Sequence, residues 1–328
     1  MKKLLLFSLF IFLGCSQSDD NSDKHQIIYI TAQRNLNDYN SIRELMASIT
    51  DASEFKQYVI NIPAGMWREC DIVGKKYVKL KGAGVDKTIL INDSDAMADL
   101  YTPSDYSFPN WAGKKLSDVP QDFKHVVHAL ADIEIEDLTL QAVKCKYSAH
   151  FDSGSYQKIT AKNVKFKEQN CNFPIGIGTG NGQELTFQQC FLERSSINLG
   201  VFVHNWNNQS KKAIVTFDGC KFINCSYLLV DELGSEQEDE INLFNCTTTL
   251  GENAGHIQLM VDKTSEGTTY WINSEGIEEP NPVNVPYCWI LKITGTAINT
   301  IESNDSGNFN SAWAGIPQRD VNLVKIIQ

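Results

Sequence analysis

The sequence predicts an all-β fold, a single-stranded parallel β-helix or solenoid with a short N-terminal capping helix. Three observations predict it. Five segments superpose: 131–141, 158–168, 184–194, 214–224 and 241–250, with anchor positions Asp137, Asn163, Gln189, Gly219 and Asn245 spaced by 26, 26, 30 and 26 residues. A fixed period of that length marks a stack of units that cannot bury their own apolar faces and must share a core with their neighbours. Each segment alternates apolar and polar residues, as a half-buried strand does. The position after each anchor reads Leu138, Val164, Cys190, Cys220, Cys246, an inward column of small apolar side chains.

The elements follow in order. Lys2 and Lys3 precede a ten-residue apolar run, Leu4 to Leu13, too short to span a bilayer, and Gly14 and Cys15 follow. This resembles a bacterial lipobox, so 1–14 is expected to be a lipoprotein signal peptide and Cys15 the acylated first residue of the mature chain. Residues 15–26 are rich in Ser, Asp and Asn and read as a flexible tether. Ser18-Asp19-Asp20 resembles a surface-export signal of Bacteroidota lipoproteins. The expected location is therefore the outer membrane or cell surface, with membrane attachment through the N-terminal lipid only. Ser41 and Glu44 form a capping box, and Ile42, Leu45, Met46 and Ile49 line one helical face, which suits a plug for an open solenoid end. The β-helix is expected over 27–262 and its C-terminal end and cap over 263–328, where Pro280, Pro282 and Pro286 break the period and strands near 288–293 and 321–327 close the stack. An earlier unit, 75–84, places Gly82 as its anchor 55 residues before Asp137, room for one further coil and a long excursion over roughly 93–123. That excursion carries Tyr101, Tyr106, Phe108 and Trp111. They read either as a loop packing its own aromatics or as platforms on which sugars stack.

Composition narrows the partners. The 328 residues hold 29 basic and 40 acidic side chains, a net charge of -11 that becomes -13 once residues 1–14 are removed. Such a chain gains nothing from phosphate counterion release, which argues against nucleic acid. It repels polyanions unless a cation intervenes, so a divalent cation such as calcium is compatible with an anionic ligand. The nine cysteines include no CxxC pair and no zinc-finger spacing. Export permits disulfides among the eight beyond Cys15, but three in one column leave at least one free. Gly82-Ala83-Gly84 is followed by the strand Thr88 to Ile91 rather than a helix, which excludes a phosphate loop.

VINIPAGMWREC (59–70) followed by VKLKGAGVDKTILI (78–91) resembles the opening of pectate-lyase-like and pectinesterase-like right-handed parallel β-helices. Those openings run I-x-I-P-x-G-x-Tyr/Trp-x-E and then L-x-G-x-G-x-x-x-T-I. The resemblance covers roughly 28–260 and implies a right-handed coil and a polysaccharide ligand. The Gln-Asp-Thr-Leu and Asp-Phe-Ile-Phe-Gly segments of pectinesterases are absent. Arg194 is the one Arg in the central coils, so the Arg base of pectate lyases has no clear counterpart, and pectin chemistry is not carried over.

Residues one coil apart should stack. Alternation then places His150, Asp152, Gly176, Gly178, His204 and His256 on the outer side, with Asp231 or Glu232 between the last two. His204, Asp231 and His256 are expected on successive coils, a carboxylate between two imidazoles, which suits a general base or a His/Asp metal site. His150, Asp152, Gly176, Gly178 and Trp111 are the candidate ligand-binding residues, the glycines leaving the backbone bare. Asp152 and Asp231 lie three coils, about 14 Å, apart, too far for the roughly 5–9.5 Å of a glycosidase pair. Two readings follow: a glycan-degrading lyase or hydrolase, and a non-catalytic glycan-binding or adhesive lipoprotein. A solvated polar ladder would show the same pattern.

Overall fold

The computed structural model describes residues 30–152, 156–180, 182–205, 211–231, 238–251, 255–260, 270–272, 278–280, 289–303 and 324–327. The leader, the tether and Cys15 lie outside them. The strands form parallel ladders on three faces of one coil. The first face stacks Ile30–Asn35, Lys56–Ile62, Val78–Gly82, and then rungs around 134, 160, 186, 216, 242, 290 and 325. The second runs from Gly65–Arg68 through Thr88–Asp93 and rungs around 140, 166, 192, 222 and 247. The third stacks Val127–His128, Ala149–Asp152, Ile175–Thr179, 201–204, 228–231, His256–Met260 and Thr300–Ser303.

Each anchor is a corner. Asp137, Asn163, Gln189, Gly219, Asn245 and Gly295 all adopt left-handed backbone, with φ between 50° and 62°. Asn, Asp and Gly are the residues that bear this conformation at least cost, which explains the anchor column. The corner turns the chain from the first face to the second. The Asn163 amide also donates to Asp137 Oδ1 at 2.7 Å, tying successive corners together.

The column after the corner is dry. Leu138, Val164, Cys190, Cys220 and Cys246 are buried. Each thiol hydrogen-bonds to a carbonyl of the preceding coil: Cys190 to Ala161, Cys220 to Phe187 and Cys246 to Phe217. All seven described cysteines are free thiols. Phe187 stacks on Phe217 with centroids 4.9 Å apart, and Phe151 and Phe166 pack edge-on against Phe187.

The capping helix spans Ile42–Ser48, with Ser41 accepting from the Glu44 N–H and Ile42, Leu45 and Met46 buried. A strand, Ile30–Asn35, precedes it and forms the first rung. The space between Gly82 and Asp137 holds no further coil: Lys79 pairs directly with Glu134, so the two units are adjacent. All of the extra length goes into an excursion over 94–126, between the second and third faces. Gly82 is not a left-handed corner either; a Cβ there would overlap the Asp137 carbonyl and Leu138, so a close crossing keeps it bare. Among the described residues no helix is long and apolar enough to cross a membrane.

Replacing Cys220 by Asp puts an unpaired charge in the dry column and is expected to cost about 4 kcal/mol or more. A thermal melt overlaying that of the unaltered protein would show that the column is open to water.

Candidate functional site

On the third face, Gly176 stands between His150 and Phe202, and Gly178 stands between Asp152 and His204. Asp152 and His204 are thus two rungs apart, about 9.6 Å in backbone. Their side chains close that distance by lying down over Gly178: His204 Nε2 is 3.6 Å from Asp152 Oδ2. His150 Nε2 lies 3.2 Å from the same oxygen. A Cβ on Gly178 would sit 2.5 Å from Asp152 Oδ1 and 2.8 Å from His204 Cε1, so only glycine permits the clasp. Gly176 is bare for a similar reason, because the Tyr147 ring lies on it. The expectation that these glycines leave backbone open to a ligand is therefore corrected: side chains of the protein fill both gaps.

The outer side of this face is covered rather than solvated. Tyr147, Phe173, Leu199, Phe202 and Leu229 form an apolar cluster there. Beside it the imidazoles stack. His150 lies 5.0 Å from both His125 and His128 between ring centroids, and His125 lies 5.2 Å from His128. Phe108 of the excursion covers His128 at 4.8 Å, nearly parallel. The excursion is clamped by Asp71, a fully buried carboxylate. It accepts from Ser107 N–H at 2.7 Å and from Ser107 Oγ at 2.5 Å, and it pairs with Arg43. Ser107 Oγ is in turn 2.7 Å from His128 Nδ1. A hydroxyl that gives its proton to a carboxylate must accept from the ring, so His128 carries its proton on Nδ1.

Burial lowers the basicity of this stack. His125 is pushed well below the ordinary imidazole range by desolvation, with His150 and His128 adding to it. His128 is pushed down to about 3 by desolvation and the neighbouring His150. His150 is lowered by burial against the opposing pull of Asp152. Burial alone would raise the Asp152 carboxyl; the hydrogen bonds from His150 and His204 outweigh it and hold the group well below the usual carboxylate range. The neutral imidazoles of His125, His128 and His150 therefore stack beside one ionised carboxylate. Both ring nitrogens of His125 and Nδ1 of His150 are buried without a hydrogen-bond partner. Carrying unsatisfied polar atoms in a covered site is costly, and such arrangements concentrate where a protein needs them for chemistry.

The sequence-derived triad does not assemble as expected. His204 is in register with Asp231, whose side chain lies outside the described residues. Asp231 pairs with Met260, so His256 enters the strand four residues earlier, about 13 Å along it. His204 also reaches Asp152, which the sequence did not indicate. Trp111 packs on Phe123 within the excursion, centroids 5.8 Å apart, and is half-buried rather than a free platform. Sequence reasoning missed His125, His128, Ser107 and Asp71. His128 pairs with His150 only 22 residues later, off the 26-residue period, because the excursion ends just before it. The signal available was the pair His125 and His128 beside the first rung of the face.

Among the described residues no group of three or more His, Cys, Asp or Glu side chains is arranged to hold a metal ion. What the site offers is the Asp152 carboxylate with two imidazole nitrogens, of His150 and His204, facing the same oxygen. It can orient a hydroxyl or a water, stabilise a developing cation, and exchange a proton through His204.

The depressed histidines bind protons less readily folded than unfolded. They add no protonation penalty above about pH 6.5, and below it stability falls with pH down to the folded values, at up to about 1.4 kcal/mol per pH unit for each group. Glu69, raised to about 7 by burial, acts in the opposite sense over the same window. The His125→Phe variant isolates the histidine contribution. It should stabilise the protein by about 1–2 kcal/mol at pH 7, by removing an unpartnered ring. It should also lose stability less steeply between pH 6.5 and 4.5 in denaturant melts. A slope equal to that of the unaltered protein would contradict the buried neutral stack.

No family model matches the chain, and no curated protein matches it. Among solved structures it is similar to the pectin methylesterase from Yersinia enterocolitica, with 14% identity over 81% of this chain and 82% of that one and a TM-score of 0.44. It is also similar to pectin methylesterase PemA from Erwinia chrysanthemi, with 12% identity, 84% and 92% coverage and a TM-score of 0.33. A pectin methylesterase in complex with hexasaccharide VII has 12% identity, 84% and 93% coverage and a TM-score of 0.34. Likeness at this level concerns coil architecture alone.

Proposed function

We propose that this chain engages polysaccharide along the third face of the β-helix and acts on it, as a lyase or hydrolase, through Asp152 and His204, held at a bacterial cell surface by lipid on Cys15. The observation that carries the catalytic part is the clasp of Asp152 by His150 and His204 across Gly178. Asp152 is its most accessible member, with 16% of its side chain exposed against 10% for His150 and 8% for His204. Its charge suits it to stabilise positive charge developing at a sugar ring or to orient a hydroxyl. His204 is placed to exchange the proton. His150 is a positioning residue, since its Nε2–H fixes the carboxylate. The ligand class rests on the resemblance of the opening segments and on shape: a stack of rungs and a glycan chain both repeat along one axis.

A binding-only reading is favoured by the covered histidines, and one experiment separates the two. Purified protein is incubated with a panel of plant and host polysaccharides, and both products and binding are measured. Asp152→Asn and His204→Ala are expected to lower product formation at least 100-fold while melting cooperatively. Binding without products in the unaltered protein would select the binding-only reading. Products at unaltered rates in both variants would remove Asp152 and His204 from the chemistry. Membrane attachment has its own test: Cys15→Ser should move the protein to the soluble fraction, and unchanged fractionation would exclude the lipid anchor.

A further inference from the structure

A second site lies at the corner where the third face turns into the first. Residues from four successive coils meet there: Gln57; Lys75, Lys76, Tyr77 and Val78; Asp132, Ile133 and Glu134; Tyr156 and Lys158. They line a cleft of about 250 Å³. By the rung spacing, its footprint is about 14 Å along the coil axis.

The chemistry of the lining is selective. Tyr156 is 55% exposed, a large aromatic left in solvent beside a cleft. Tyr77 has φ of 66°, the left-handed region that a bulky aromatic avoids, so the fold holds its ring at the cleft against a backbone preference. The Lys76 ammonium lies 5.0 Å over the Tyr77 ring. Other groups of the cleft have partners of their own: Glu134 pairs with Lys79, Lys75 donates to the Met46 and Ile49 carbonyls at the end of the capping helix, and Asp132 accepts from the Lys158 backbone N–H while keeping its charge. The ammonium groups of Lys76 and Lys158 have no ion-pair partner among the described residues and are both exposed. A chain of net charge -11 thus presents two exposed ammonium groups and two tyrosine rings at one cleft, with the Tyr77 hydroxyl and the Asp132 carboxylate also acting on Lys76. Aromatic faces accept the apolar face of a pyranose ring, and ammonium groups accept an anionic substituent. Tyr156 follows Asp152 by four residues, a span of at most about 14 Å, which puts the cleft within reach of one glycan chain lying on both sites.

We infer that this corner is a remote subsite for a glycan residue bearing a carboxylate or sulfate, stacked on Tyr156 and Tyr77 and held by Lys76 and Lys158. The inference rests on the proposed polysaccharide function and names the class of glycan.

The test is calorimetric titration with three oligosaccharides of equal length: a hexuronate oligomer, a sulfated galactose oligomer and a neutral galactose oligomer. Binding is compared between the unaltered protein, Tyr156→Ala, the double variant Lys76→Gln/Lys158→Gln, and Asp152→Asn. The unaltered protein should bind at least one anionic oligomer ten or more times more tightly than the neutral one, and which one identifies the anion. Both Tyr156→Ala and the lysine double variant should weaken that binding at least tenfold, with unchanged melting. Unaltered affinity in both variants, with weakened binding in Asp152→Asn, would confine binding to the third face and overturn the inference alone. Neutral and anionic oligomers bound equally would overturn the anionic assignment. Absence of binding to all three by the unaltered protein would remove the polysaccharide reading, and this inference with it.

Discussion

A parallel coil holds its register only if every turn uses the same number of residues between the same corners. Here the left-handed residue at each first corner imposes that constraint, with Asp137, Asn163, Gln189, Gly219, Asn245 and Gly295 all near φ of 55°. Because the corners superpose, residues 26 apart face the same way, and the chain can place chosen side chains in line across three strands. The Cys column inside and the Asp152–Gly178–His204 line outside are two results of the same register. Where a coil is longer, as in the 30 residues before Gly219, the extra length is absorbed between faces: strand 191–205 still pairs 26 residues on from the preceding coil, and the four additional residues fall between the third face and the first, before Ile214.

The site draws on the stability that this core supplies. Three imidazoles held neutral, two of them with unpartnered ring nitrogens, oppose folding. A continuous column of fully buried Leu, Val, Phe and Cys, repeated on every coil, offsets that cost. The excursion completes the arrangement. Phe108 covers the stack, and the Asp71–Ser107–His128 chain of hydrogen bonds fixes both the loop and a ring tautomer. The same contacts hold water away from His125 and His150, so Asp152 is the group of this cluster that most nearly reaches solvent.

Much of the architecture was legible in the sequence, because periodicity survives without coordinates. The corner column, the Cys ladder and the capping helix follow from spacing and residue type, and the Gly176–His150 and Gly178–His204 registers follow by counting 26. The site was legible only in part. Counting gives which residues share a column, but not how far a side chain leans along it. Asp152 reaching over two rungs depends on the missing Cβ of Gly178, whereas adjacency alone pointed to Asp231. His256 was displaced because the coil that contains it departs from the 26-residue period, and four residues of slip along a strand exceed any side chain's reach. His125 and His128 were hidden because the excursion resets the count just before them. Outward direction was also read as exposure, whereas a covering loop and five apolar side chains bury much of that face.

The proposed function depends on the Asp152–His204 contact over Gly178. The direct measurement is glycan turnover, or glycan binding if no product forms, by the Gly178→Ala variant, alongside its thermal melt. One methyl group at this position forces Asp152 and His204 apart while leaving every ionisable group and every corner in place. The expected result is a cooperative melt, destabilised by about 1–3 kcal/mol, with function reduced at least tenfold. A folded Gly178→Ala protein that acts on or binds glycan as well as the unaltered one would contradict it.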